Sequence, residues 1–303
     1  MKSVFKELWK NKLLYGMTVP AIIWILIFNY YPMYGVLIAF KEYSYKKGIW
    51  NSPWVGLKNF EFLFHYNGVG KIFFNTIFLN LLFLIFTTFF SVLLALVFVE
   101  IKNKAYNKLV QTIAIFPHFV SWTVVAMFLS GIIGSSGIVS KLIENMGSEN
   151  PMFYNNASAW PLILVLLKIW QGAGYGTIVY VAAITGLDQE IYEAAIVDGA
   201  TRLQRVTKIT LPLLKTTIIM LTIMSIGKIF NGDFGMIYAI VGDNAALYPT
   251  TDVVDTFVYR ALRQMNNLGM STATSLFQSV VGLILVFASN AFTKKVEPDA
   301  AIF

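Results

Sequence analysis

Cysteine is absent from the 303 residues, which rules out disulfides, thiolate metal sites and a cysteine nucleophile and leaves the redox compartment unspecified. Histidine is nearly absent. His65 and His118 have no second ligand at metal-site spacing and form no HExxH pair, so no metal centre is expected, and His118, just after Pro117, reads as a packing residue. A phosphate-cradling loop is missing too: the nearest string, Gly68-Val69-Gly70-Lys71, has His65 where the first glycine belongs and Ile72 where the hydroxyl belongs. Charge is scarce, at 13% of residues against 57% hydrophobic ones. With a mean hydropathy of +0.65, the chain is too apolar for an ordinary soluble domain and takes lipid as solvent. The net charge of +7 comes from Lys and Arg beside apolar runs, where they orient a chain in a bilayer, so no nucleic-acid partner is expected.

What is present is a series of long apolar runs. A spanning helix needs roughly 20 mostly apolar residues, and six stretches qualify. Runs 13–40, 72–99, 109–133 and 271–293 hold no Lys, Arg, Asp or Glu; 159–183 contains Lys168, and 209–230 contains Lys215 and Lys228. A lysine near a span end can snorkel and one facing a cavity can stay hydrated. The basic N-terminus, MKSVFKELWKNK, precedes a run far longer than the ~7–15 residues of a signal-peptide core. We read a short amphipathic helix followed by a retained span.

Orientation follows from short-loop Lys and Arg. Lys2, Lys6, Lys10 and Lys12, then Lys102, Lys104 and Lys108, then Arg202, Arg205 and Lys208, then Lys294 and Lys295 fall on one side of a six-span chain, which places both termini in the cytoplasm. One loop runs against the rule: 41–71 carries five lysines yet lies outside in this scheme.

Between the fourth and fifth runs stands a charged island, EAAIVDGATRLQRVTKITLP from Glu193 to Pro212. Helix formers and acidic residues from Asp188 onward suit a helix start. Asp198-Gly199 breaks it, and Ala200 onward starts a second helix running towards Pro212. Small residues on the exposed side would let another protein approach the backbone, with Glu193 and Asp198 offering charges. Taken alone, such a loop also reads as an ordinary amphipathic connector.

This segment resembles the EAA loop of ABC importer permeases at Glu193, Ala194, Ala195, Asp198, Gly199, Ala200, Ile209, Leu211 and Pro212, with Val206 where the pattern usually has an aromatic. The stretches YYPMYGVLIAFKEYS, SPWVGLKNF, FPHFVSWTVVA and SLFQSVVGLILV are similar to the carbohydrate permeases typified by the lipoprotein-linked polysaccharide permease. The resemblance implies an all-α membrane protein with six transmembrane helices and the type I importer fold. Its parts would be 1–71 (amphipathic segment, first span, external loop), a permease core at 72–289 carrying a cytoplasmic loop 186–212, and a cytoplasmic tail 290–303. It further implies a non-enzymatic subunit forming half of the pathway for an oligosaccharide derived from a complex polysaccharide. Its partners would be a second homologous permease, two ATPase subunits using ATP and Mg, and an extracytoplasmic solute-binding lipoprotein; no cofactor is expected in this chain. In this picture Glu193, Ala194, Ala195, Asp198, Gly199, Ala200, Leu211 and Pro212 couple to the ATPase.

Saccharides are held by aromatic faces and by amide or hydroxyl groups, so the pathway candidates are Asn75, Asn80, Trp122, Trp170, Gln171, Tyr180 and Asn231. Interface belts and interhelical glue are the competing explanations for the same residue types. Lys168 and Lys228 could attract an acidic sugar such as a uronate, or could snorkel. The run Gly172-Ala173-Gly174-Tyr175-Gly176 points to close helix packing or a flexible span, and secondarily to a gate. The loop 231–270 is expected to meet a binding protein, the plainer reading being a solvated cap. A secondary transporter or channel for a small polar solute would call for acidic residues within the spans, and none of the six runs has one. A membrane-embedded enzyme would need carboxylate, histidine or metal-ligand clusters near the membrane surface, and none is visible.

Overall fold

The computed structural model describes residues 9–65, 68–296, 298 and 301. The expected amphipathic N-terminal helix falls mostly on residues 1–8, outside the described residues, as does most of the tail beyond Val296. The described residues are almost entirely helical, because a backbone in lipid must satisfy its own hydrogen bonds. Six stretches among them are long and apolar enough to cross a membrane: Lys12–Phe40, Val69–Glu100, Trp122–Asn145, Ala157–Thr185, Arg202–Ile226 and Leu268–Lys295. The fold is that of a multi-pass, six-span membrane protein.

The chain divides into two compact units, Met1–Tyr66 with Arg260–Leu276, and Asn67–Tyr259 with Phe277–Phe303. In the first, helix α1 (Lys12–Ile25) passes into a π-turn, Leu26–Tyr30, and a 3-10 helix, Tyr31–Phe40. The π-turn has a local cause. Pro32 has no N–H and its ring crowds the carbonyl one α-turn back, and the wider turn lets Tyr31 N–H reach Leu26 O instead. In the lysine-rich loop that follows, Lys41 is buried and its Nζ donates to Ile49 O at 2.7 Å and Trp50 O at 3.1 Å, while lying over the Trp54 ring. The Asn59 amide ties Ala39 O and Lys41 O at 3.0 and 2.9 Å. One of the five lysines that ran against the charge rule is therefore a structural staple.

In the second unit, α2 (Val69–Glu100) starts after Gly68 and ends where Ile101 turns extended. Asn103 then caps α3 (Lys104–Ile115), accepting from Ala105 N and Tyr106 N. The third apolar run is not one helix. Pro117 sits in a 3-10 turn, Val120 turns extended, and Ser121 caps a new helix, α4 (Trp122–Ile133), which is followed by α5 (Ile138–Asn145). The third span thus begins at Trp122, about a dozen residues later than hydropathy alone suggests, because the Pro117–Ser121 segment breaks the helix.

Helix α6 (Trp160–Thr185) packs along α2. Its glycine run serves the close-packing role: a Cβ on Gly174 would fall on the Ala114 carbonyl oxygen of α3, and one on Gly176 would fall on the Ser91 hydroxyl of α2. Ser91 Oγ donates to Ala173 O at 3.0 Å across the same contact. Helix α7 (Gln189–Val197) and the short α8 (Arg202–Arg205) follow. From α8 the chain continues through a π-turn, Val206–Thr210, into α9 (Leu211–Ile226). The second half of the charged island is therefore the start of the fifth span, not a separate surface helix. As before Pro32, the π-turn precedes a proline, Pro212, and Leu211 N–H reaches Val206 O.

The loop 231–270 is no solvated cap. It forms α10 (Phe234–Val241) and α11 (Val254–Arg263), and it supplies Met236, Ile237, Ile240, Val241, Leu247 and Val253 to a buried cluster with Leu79, Phe83, Leu129, Trp160 and Leu164. The last span is α12 (Leu268–Val296).

Candidate functional site

Two regions of the second unit carry candidate chemistry. The first is the island after α6. Asp188 caps α7, accepting from Glu190 N at 3.0 Å. At its far end Gly199 takes φ +76°, Gly199 N–H donates to Ile196 O at 3.0 Å and Ala200 N–H to Ala195 O at 2.9 Å. These two bonds make a Schellman stop, in which the left-handed residue is glycine because it has no Cβ to clash. Thr201 then starts α8 with a capping box: its hydroxyl accepts from Gln204 N and Gln204 Oε1 accepts from Thr201 N at 2.8 Å. The Thr-x-x-Gln spacing was in the sequence as a signal for this start. The whole turn is thus held by reciprocal backbone bonds.

Its outer face is exposed and more apolar than small residues alone would make it. Glu193, Ala194, Asp198 and Gly199 are exposed, Ala195 and Ala200 half-buried, and beside them Val197 is 87% and Leu203 72% exposed. Leu211 and Pro212 sit at the first turn of α9, Leu211 half-buried and Pro212 exposed. On the inner side Tyr192 and Thr210 hydroxyls meet at 3.0 Å, fastening α7 to the base of α9. A cleft of about 280 Å³ lies beneath α7, lined by Glu100, Gln189, Tyr192, Glu193 and Arg205 among others, and the buried Arg205 Nε has no partner there. Glu100 and Arg205 were not singled out as site residues from sequence.

The second region is a polar cavity of about 420 Å³ lined by Asn80, Phe83, Thr87, Thr88, Lys168, Ser225, Lys228, Asn231 and Asp233. Of the seven pathway candidates it gathers two, Asn80 and Asn231. Trp122 stands beside it, its ring 6.0 Å from Lys168 Nζ. Three others are packing residues. Asn75 is buried and donates to Pro249 O and Asp252 O, pinning the loop 231–270; Gln171 reaches Val120 O at 3.4 Å; Tyr180 lies in a core cluster with Val92, Ala95 and Leu214. Trp170 is 49% exposed and lines none of the polar cavity. His118 stacks on Tyr175 with ring centroids 4.0 Å apart, as a packing residue would.

Lys168 neither snorkels nor stands free. Its Nζ pairs with Asp233 Oδ2 at 2.6 Å, although Asp233 lies outside every apolar run. Sequence reasoning missed this because the partners are 65 residues apart and no periodicity links them. Asp233 also caps α10 through Met236 N at 3.1 Å. Behind the cavity Asp255 accepts from Gly232 N–H and from the Gln278 amide at 3.0 Å. Burial pushes its carboxyl above the usual range while those donors pull it back. Asp233→Asn keeps the cap but removes the charge opposite Lys168. With the two side chains 27% and 26% exposed, the loss should be below that of a fully buried pair, about 2 kcal/mol. Thermal unfolding of the purified protein should show it, and adding Lys168→Met should recover most of the loss. A single variant as stable as wild type would deny the pair any structural weight.

An apolar groove of about 610 Å³ is lined by Leu81, Ile85, Phe89, Leu93 and Ile218 among others, with Thr88 and Thr222 as its polar members. It suits acyl chains or another span better than a sugar. Among the described residues no three His, Asp or Glu side chains gather as a metal site would.

The sequence profile of binding-protein-dependent transport system inner membrane components matches residues 88–301. The chain is 39% identical to Protein LplB of Bacillus subtilis over 298 residues, 98% of this chain and 93% of that one. It is 37% identical to the polygalacturonan/rhamnogalacturonan transport system permease protein YteP of the same organism, over 97% of this chain and 91% of that one. Among solved structures it is similar to a chain of a bacterial ABC transporter involved in the import of the acidic polysaccharide alginate, with a TM-score of 0.88 and 35% identity over 97% of this chain and 99% of that one. A second structure of a bacterial alginate ABC transporter, in complex with an alginate pentasaccharide-bound periplasmic protein, matches with a TM-score of 0.86 at 35% identity, over 96% and 97% of the two chains.

Proposed function

The chain belongs to the family of binding-protein-dependent transport system inner membrane components, and from that premise we propose that it forms one half of the pathway by which an ABC importer takes up an oligosaccharide cut from a complex polysaccharide. It is an integral membrane permease subunit and not itself an enzyme. The observation that carries this reading is the continuous helical rod Arg202–Ile226. One end emerges from the exposed turn at Gly199, and the other enters the wall of the polar cavity through Ser225.

In this reading the exposed face of α7 and the Gly199 turn dock on an ATPase subunit in the cytoplasm, with Glu193 and Asp198 pairing basic groups and Ala194 and Ala195 allowing close approach. Leu211 and Pro212 fix where the docked turn joins its span. ATP and Mg are bound and used by two copies of that partner, which drive the chain between outward- and inward-open states. A second permease completes the pathway, and a solute-binding lipoprotein delivers the saccharide from outside. Both termini and the loop 186–212 are cytoplasmic, and 72–289 is the working core. In this reading Asn80 and Asn231, with Trp122 beside them, meet the sugar.

The test is to tag the chain in its native membrane, extract it gently and identify the co-purifying proteins by mass. A second six-span permease and an ATPase are expected. A stable complex containing no ATPase would make the island a connector and favour a secondary transporter.

A further inference from the structure

We propose that Lys228 is the residue that selects a carboxylated saccharide over a neutral one, by receiving the sugar's carboxylate in the cavity; the proposal rests on the transport reading above. The cavity, about 420 Å³, lies within the roughly 300–1,000 Å³ range of ligand pockets. Its wall reaches deep: Asn80 and Thr87 stand about 16 and 27 Å along α2, a helix about 47 Å long at 1.5 Å per residue. Ionisable groups at such depth are costly without a partner and mark function.

The wall's charges settle which group is available. Lys168 is neutralised by Asp233 at 2.6 Å. Asp255, behind Gly232, is taken up by Gly232 N–H and Gln278. Lys228 is exposed, one residue past the C-cap of α9, and pairs with no carboxylate among the described residues. Among the described residues the cavity therefore carries one positive charge that no carboxylate balances.

The donors sort the same way. Asn80 Nδ2 is committed to the carbonyls of Thr76, Ile229 and Asn231 at 2.9, 3.0 and 3.1 Å, and Ser225 Oγ donates to Leu221 O at 2.8 Å. The Lys228 ammonium and the Asn231 side-chain amide are the strong donors left for an incoming anion.

The experiment uses the whole importer with its own binding lipoprotein in proteoliposomes. The probes are oligogalacturonates and oligomannuronates, each beside its carboxyl-reduced neutral counterpart. Wild type should import at least one uronate oligomer in preference to its reduced counterpart. Lys228→Gln should cut uptake of that acid form roughly tenfold and bring the acid-to-reduced preference down to about one, and Lys228→Arg should restore the preference. A wild type that imports only neutral sugars would overturn the assignment. So would a Gln variant that keeps the preference, or Gln and Arg variants that lose both forms alike, which marks a structural role. An assembled wild type that moves no saccharide, acidic or neutral, would sink the transport reading and this proposal with it.

Discussion

Gly199→Pro should leave the protein in the membrane at wild-type levels and abolish the stimulation of ATP hydrolysis by substrate-loaded binding protein in the reconstituted importer, a loss of at least about tenfold. Two independent faults coincide in this substitution. Proline holds φ near −65° where the turn needs +76°, and it deletes the N–H that bonds Ile196 O. Both ends of the Schellman stop are lost, so α7 no longer leads into Thr201 at a fixed angle, and a docked helix would turn without turning the rod behind it. A graded series separates coupling from simple damage. Gly199→Asn, which tolerates the left-handed region, should stay near wild type, and Gly199→Ala, at about 1–2 kcal/mol of strain, should fall between. Full stimulation in the proline variant would mean that the turn carries no force.

Gly174→Leu should be the most damaging packing change in the protein. Its Cβ alone would sit on the Ala114 carbonyl oxygen, which is backbone and has no rotamer to yield. Overpacking of this kind costs about 1–3 kcal/mol and occasionally more, and a clash against backbone belongs at the upper end. Relief requires α3 and α6 to part. A lowered unfolding midpoint and a loss of monodisperse protein on extraction are expected. Gly131→Ala is the matched control: it lies inside α4 with open space around it, and helix propensity makes it neutral or slightly stabilising. Equal behaviour of the two variants would remove the glycine run from the packing account.

The existence of six spans was legible in the long apolar runs, four free of charge and two holding only lysines, because a run of that length can close its own backbone bonds in lipid as a helix. Their ends were less so. Pro117 and Ser121 break the third run, yet both are tolerated within other spans, so composition could not say that the helix restarts at Trp122. The fifth span starts earlier than its hydropathy because Arg202, Arg205 and Lys208 are helical without being apolar. At the Gly199 turn the Asp198-Gly199 break was legible, because it acts through local backbone bonds that a sequence carries directly, whereas the Thr-x-x-Gln spacing at Thr201 went unread. In the cavity it was partial. Asparagine and tryptophan announce hydrogen bonding and stacking but not direction, and only contacts between distant segments show that Asn75 pins a loop while Asn80 and Asn231 line a space. The Lys168–Asp233 pair is the clearest instance: Lys168 had a plausible solitary explanation, Asp233 lay outside every apolar run, and only the fold brings them together.

The exposed Val197 and Leu203 side chains have a consequence for the life of the protein in the cell. Large apolar groups displayed on a well-ordered turn attract chaperones and membrane proteases as readily as any intended neighbour. In the proposed importer, a copy made in excess of its partners would carry that mark until something covered it, so its lifetime should track the supply of the other subunits rather than its own intrinsic stability.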